Sequence, residues 1–219
     1  MEPNVTDVGL ASSSLVELAV DALRGEILGG AFAPGDRLVE EQITRRFQIS
    51  RAPLREALRL LGEQGLVEHL PRRGVRVATL SDTDVHELVE LRDVLERHAV
   101  AKALPDAGDL AGLRRELAAM RDAAAAGEVF DRADAHRRFH VELVRLAGRR
   151  QLLLAYEPIL LRLQLHMAMN LRRDEEAATS ADDGVRRHAA LLDAVETDDP
   201  EAVLAVLAAH GAQTHLTPM

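Results

Sequence analysis

The chain has 219 residues, 47% of them hydrophobic but only 2% aromatic, and a formal net charge of −9. That length allows two modest domains or one large one, with a core built from Leu, Ala and Val. The absence of cysteine excludes disulfides, thiolate metal sites and cysteine nucleophiles; no apolar run is long and uncharged enough to span a bilayer, so a cytoplasmic protein with no membrane partner is expected.

Residues 1–14 lack apolar periodicity and read as a mobile N-terminal arm. A first helix is predicted over 15–28, with Leu15, Leu18, Ala22 and Ile27 near one face and Gly29-Gly30 ending it. The Pro34-Gly35 turn leads to a second helix over 40–47. Ser50 is placed to cap a third, whose first turn tolerates Pro53. In that helix Leu54, Leu58 and Leu61 form a buried stripe, while Arg51, Arg55 and Arg59 recur at four-residue spacing on another face. Gly65 closes it, and 66–69 and 75–78 read as short strands joined by the basic turn Pro71-Arg72-Arg73-Gly74. Helix, tight turn, arginine-bearing helix and basic hairpin, in that order, make a winged helix-turn-helix over 15–79 that can put a helix into the DNA major groove.

A net charge of −9 suits a DNA-binding chain only if the positive charge is concentrated. Residues 1–80 carry −1 and residues 81–219 carry −8, but the stretch from Arg45 to Arg76 carries +5. The local field governs contact with phosphates. Arg51 and Arg55 are the candidate base readers, because a guanidinium can grip guanine O6 and N7 together. Arg37 and Arg45 are candidate phosphate anchors. Gly74 would let the wing tip lie close to the DNA backbone, with Arg73 reaching the minor groove. The same arginines also fit a solvated face, or pairs with Glu56 and Glu63.

After Ser81-Asp82 the pattern changes to long helices without a strand signal, at 82–103, 109–126, 128–147, 149–173, 182–196 and 199–214. Short connections between long helices predict an all-α antiparallel bundle over 80–219, so the fold class is mainly α, a winged helix followed by a bundle. The acidic stretch 174–183 reads as a solvated loop. His136 and His140, at i and i+4, share an inward face; His188 lies on a stripe with Val185, Leu192 and Val195, and His210 with Val203, Val206 and Leu207. Each alone fits a hydrogen-bonded core histidine. Four imidazoles aimed at one core are costly to bury unpartnered, and a divalent transition metal answers them together: zinc first, nickel or cobalt next. Helix 149–173 is apolar on almost every side, and against that background Arg162, His166 and Asn170 repeat every four residues. That stripe fits a cavity lining, and equally an exposed strip or internal hydrogen bonds. Arg92, on an inward stripe with Val85, Leu88, Leu95 and Ala99, fits either an anion-binding role or a structural salt bridge.

The motifs Pro34-Gly35-x-Arg37-Leu38-x-Glu40, Ile49-Ser50-Arg51-x-Pro53-Leu54-Arg55-Glu56-Ala57-Leu58, Gly65-Leu66-Val67 and Arg72-Arg73-Gly74 resemble the FadR branch of the GntR family of bacterial transcriptional regulators. In the second half, Glu87-Leu88-x-Glu90-x-Arg92-x-x-Leu95-Glu96, Phe139-His140 and Ala147-Gly148 resemble the all-helical FCD effector domain, and Leu38-Val39-Glu40 resembles the VanR-like members. The resemblance implies a homodimer, a palindromic double-stranded operator and a small-molecule effector, often an organic acid. It also implies a metal held by an Asp and three His. Here the Asp position, three before the Phe, is occupied by His136, and Asp134 projects from a different side of the helix.

These features predict a ligand-responsive repressor. The rivals are a metal-dependent enzyme with a vestigial DNA module and a regulator responding to metal alone. No His-Glu-x-x-His, nucleophile elbow or phosphate-cradling glycine loop supports an enzyme.

Overall fold

The computed structural model describes residues 5–106, 108–173 and 181–212, with side chains over 15–106, 108–167 and 183–210. It divides into two compact units, Met1–Thr79 and Leu80–Met219. In the first, α1 (Val5–Leu28) is followed by β1 (Arg37–Leu38), α2 (Glu40–Phe47), α3 (Arg51–Glu63), β2 (Val67–Leu70) and β3 (Gly74–Val77). The strands form an antiparallel sheet in the order β1-β3-β2, with Arg37 opposite Arg76 and Leu70 opposite Gly74. The two-residue β1 has no periodicity of its own to read; pairing with β3 alone makes it a strand.

Two expectations for the first helix are corrected. Residues 5–14 belong to α1 rather than to an arm, with 1–4 outside the described residues. Once a helix is nucleated, each further turn adds hydrogen bonds at little entropic cost, even without apolar spacing. The buried face is also rotated: Ala19, Val20, Leu23 and Ile27 are buried, whereas Leu15 and Leu18 are 43% and 62% exposed and Ala22 is exposed. Ser50 holds the N-cap position of α3 by its backbone, but its hydroxyl makes no capping hydrogen bond. The stripe Leu54, Leu58 and Leu61 is almost wholly buried, and α3 packs on α1.

The second unit contains α4 (Asp82–Ala103), α5 (Ala111–Ala126), α6 (Val129–Arg145), α7 (Arg150–Arg173), α8 (Ala181–Glu196) and α9 (Pro200–Ala212). A reciprocal cap starts α4: Asp84 N–H donates to Ser81 Oγ at 3.2 Å, and Ser81 N–H donates to Asp84 Oδ2 at 2.9 Å. Helix α8, expected from 182, opens at Ala181, inside the stretch 174–183 also read as an acidic loop; residues 174–180 lie outside the described residues. One apolar cluster, around Phe139, Met120, Leu191 and Leu207, joins α5, α6, α8 and α9. A second, around Tyr156, Leu88, Ala99 and Val144, joins α4, α6 and α7. Helix α6 contributes to both, so polar groups on its inward face sit where the two cores meet.

Leu58→Ala removes a fully buried side chain from the first core and is expected to lower unfolding stability by about 2–5 kcal/mol. Urea denaturation followed by circular dichroism measures it.

Candidate nucleic-acid interface and metal centre

The winged unit sorts its arginines by whether an acid holds them. Arg46 pairs with Glu26, Arg45 with Glu41, Arg59 with both Glu56 and Glu63, and Arg76 with Glu68. Arg55 Nε lies 3.0 Å from Glu40 Oε2, on the opening turn of α2. Arg37, Arg51, Arg72 and Arg73 are exposed and carry no ion pair among the described residues. Those four occupy the first residue of α3, strand β1 and the wing turn. Of the six residues singled out for DNA contact, Arg45 and Arg55 are therefore held at the surface. Such exposed pairs are worth little and can exchange for a phosphate or a base.

The wing turn is geometrically demanding. Gly74 has φ +88°, a left-handed conformation that side chains disfavour; a Cβ there would meet Arg37 at 3.7 Å, ordinary contact. Backbone conformation, not space, is what calls for glycine, and Arg37 lies beside the wing tip. Arg72, not singled out from the sequence, also has positive φ, +60°. Its signal was the Pro71-Arg72-Arg73-Gly74 turn, which exposes both arginines.

In the helical unit His136 and His140 on α6, His188 on α8 and His210 on α9 converge, their nearest ring nitrogens all within 4.8 Å of one another. The one-turn offset on α6 brings the His136 and His140 rings to 4.8 Å, while the His188 and His210 rings stand 4.5 Å apart. Asp134 does not join them; it pairs with Arg137 and Arg138. Two residues the sequence reading passed over complete the surroundings. Glu96, one turn after Arg92 on α4, is buried and accepts from Arg92 Nε at 2.8 Å and from the hydroxyl of Tyr156 on α7. Burial, and then Glu96, push the Tyr156 phenol well above its usual range. The i,i+4 spacing of Arg92 and Glu96 was readable; the arrival of Tyr156 from α7 was not.

Burial holds the imidazoles neutral. It drives His136 and His140 well below the usual histidine range, His188 down to about 4 and His210 to about 3. The outer contacts then assign tautomers. His188 Nδ1 lies 2.7 Å from the Gly184 carbonyl and His140 Nδ1 lies 2.9 Å from Glu96 Oε1, so both Nδ1 atoms donate. The two Nε2 lone pairs then face each other 3.0 Å apart. Neither can donate to the other, and a cation is what two such lone pairs accept. Arg92 Nη2 lies 2.8 Å from His140 Nε2 and 3.1 Å from Nδ1; with Nδ1 donating to Glu96, Nε2 accepts from the guanidinium, which already brings one cation to that lone pair. Four neutral nitrogen donors, two with their outer nitrogens pinned, fit a transition-metal ion.

Arg92 is thus at the histidine cluster. Arg162 and His166 have other charged neighbours in the opening turn of α4: Asp84 for Arg162 and Asp82 for His166. Burial lowers the His166 pKa. Asn170 lies in α7, its side chain outside the described residues. Of the expected effector set, Arg92 therefore lies by His140, while Arg162 and His166 have the opening turn of α4 as their charged neighbourhood.

Residues 15–77 match the family described as bacterial regulatory proteins, gntR family, and residues 87–213 match the FCD domain. The chain is 30% identical over 191 residues to the HTH-type transcriptional regulator YdhC of Bacillus subtilis (strain 168), covering 86% of this chain and 84% of that one. It is 29% identical to a D-xylose utilization operon transcriptional repressor of Paenarthrobacter nicotinovorans, over 94% and 90% of the two chains. The crystal structure of a GntR transcriptional regulator from Rhodococcus sp. RHA1 superposes with a TM-score of 0.82 at 26% identity, over 91% and 94% of the chains. These relatives are regulators, and none of them supports the enzyme alternative.

With metal stripped by chelator, the cluster should make the helical unit acid-sensitive. The unfolded histidines take up protons near pH ~6.5, whereas folded His188 does so only at about 4. Stability is expected to be unaffected above that upper value and to fall as the pH drops between the two. Thermal melts across pH measure this, and His188→Asn should reduce the slope.

Proposed function

Since the chain belongs to the gntR family of bacterial regulatory proteins and carries an FCD domain behind its winged helix, we propose that this DNA-binding transcriptional regulator is a repressor controlled by a carboxylate effector at a metal-loaded histidine centre. It acts in the cytoplasm as a homodimer on a palindromic operator, and falls in the FadR branch near its VanR-like members. The observation that carries the reading is the convergence of His136, His140, His188 and His210, each offering a ring nitrogen within 4.8 Å of the others.

At the operator, the tip of α3 enters the major groove. Arg51, exposed at its first residue and without an ion pair among the described residues, reads a base edge, and Arg55 joins it by exchanging Glu40 for guanine. Arg37 and Arg45 take phosphates. Arg73 enters the minor groove, and Gly74 brings the wing backbone close to the DNA. The repressing sign is supported by the P. nicotinovorans relative, named a repressor.

In the helical unit His136, His140, His188 and His210 would hold the ion, zinc or else nickel or cobalt. When bound, the metal supplies Lewis acidity and a +2 charge that attracts a carboxylate. The chain supplies four neutral imidazoles and Arg92, whose charge Glu96 already balances. With His136 where the family pattern has Asp, no ligand offsets the metal charge, which strengthens the preference for an anionic effector. Effector binding releases the operator if it favours a dimer geometry that mismatches the half-sites; that requires different affinities for the two geometries. A regulator answering to metal alone keeps the same centre, and would change operator affinity on metal addition without any carboxylate.

Two measurements test this. In gel shifts across salt, Arg51→Ala should weaken operator binding by about 1–3 kcal/mol and relax base preference, whereas Arg46→Ala, paired with Glu26, should change little; unchanged affinity for Arg51→Ala removes the base-reading role. Elemental analysis of protein purified without chelator should find about one transition-metal ion per chain, lost in His140→Ala; a metal-free wild type removes the metal centre.

A further inference from the structure

Two arginines, from different helices, bring their charge to the histidine centre. Arg92 of α4 is buried against His140, and Glu96 answers its charge through a hydrogen bond of 2.8 Å. Arg187 stands on α8, next to His188. It is half-buried and makes no ion pair or hydrogen bond among the described residues. Asp183, the acid four residues before it, is already held by Arg186. Burial is the main cause of the low pKa values of His188 and His210, and Arg187 adds to it at both, so its charge reaches the cluster. A guanidinium partly withdrawn from water without a counter-ion is costly, and an anion relieves that cost. There is room for one. Gly184 lies one turn before Arg187 and His188, and a Cβ built on it would meet nothing within 4 Å. Its carbonyl holds His188 Nδ1 at 2.7 Å, so this open turn belongs to the wall of the histidine centre.

We infer that the effector is a dicarboxylate, with one carboxylate at the metal-loaded histidines and the other held by Arg187, which sets the preference for two negative charges over one. The charges around the centre support this. The four imidazoles are neutral, and Glu96 cancels Arg92. A divalent ion adds two positive charges, and Arg187 adds one more that no described acid answers. A monocarboxylate meets only part of that excess; a dicarboxylate meets the ion and Arg187 with one molecule. The planar guanidinium fork matches a carboxylate in a two-pronged contact, so Arg187 reads the second charge and its distance from the first. Once one carboxylate is bound, the second contact forms within the same complex, which is where the gain in affinity arises.

This inference rests on the reading of a metal-loaded, carboxylate-responsive centre, and the test separates the two. Calorimetry on the zinc-loaded full chain compares acetate and butyrate with malonate, succinate and glutarate, whose two carboxylates stand progressively further apart. At least one dicarboxylate should bind roughly tenfold more tightly than either monocarboxylate. Arg187→Gln should lose that advantage, binding the preferred dicarboxylate about tenfold more weakly while its monocarboxylate affinity and zinc content stay unchanged. Arg186→Gln, which removes a cation already paired with Asp183, should keep the advantage. A chain that takes up no zinc, or takes it up and binds none of the five acids, sinks the underlying reading, and the inference falls with it. Monocarboxylates that bind as tightly as the best dicarboxylate, or an Arg187→Gln variant that keeps the preference, overturn the inference alone. An Arg187→Gln variant that loses zinc together with the dicarboxylate assigns Arg187 to support of the histidines, and also overturns it.

Discussion

Four imidazoles sharing one small buried volume is the constraint on which the helical unit depends. Desolvation keeps each ring neutral, so each retains one lone pair, and those of His140 and His188, at hydrogen-bond distance, repel unless an electrophile answers them. The surrounding residues relieve the conflict only in part: Arg92 Nη2 reaches the His140 Nε2 lone pair at 2.8 Å, while other neighbours sharpen it. Glu96 and the Gly184 carbonyl each take an Nδ1 proton, and in doing so they turn the basic nitrogens of His140 and His188 toward each other. Glu96 is itself held by Arg92 and Tyr156, so the orientation of His140 is tied to α4 and α7 as well as to its own helix. Removing one link of such a chain leaves a buried polar group unanswered, which is why these positions act together.

The winged unit solves the opposite problem, keeping charge available. An arginine-rich face left to itself would pair with the nearest carboxylates, and most of the arginines do so. Arg59 takes both glutamates on its own helix and leaves Arg51 none. The wing turn, with positive φ at both Arg72 and Gly74, leaves Arg72 and Arg73 exposed and without an ion pair among the described residues. The unpaired arginines thus gather on the first residue of α3, on β1 and on the wing, which gives a chain of net charge −9 a local surface suited to phosphate and base contact.

Periodicity carried much of the architecture. The bounds of α2 and α4 could be read to the residue, from the apolar spacing and from Phe47, Ser81 and Pro105 at their edges. The register of α1 could not. Leu15 and Leu18 are as apolar as Leu23 and Ile27, and which leucines turn inward is settled by where α3 packs. Four-residue spacing puts Arg162 and His166 on one face but does not say which neighbour that face has, and here Asp84 and Asp82 at the start of α4 are their charged neighbours.

By itself the amino-acid order determined the helices from residue 15 onward, the two wing strands β2 and β3, and the spacing that sets His136 beside His140. These depend on the helical and strand repeats, which are local. The tertiary structure alone decided that Glu96 and Tyr156 close around His140, that Arg51 escapes pairing while Arg55 does not, and that Arg92 and Arg162 part company. Those outcomes join residues as far apart as 48 and 60 positions. Packing, not spacing, determines whether such groups meet.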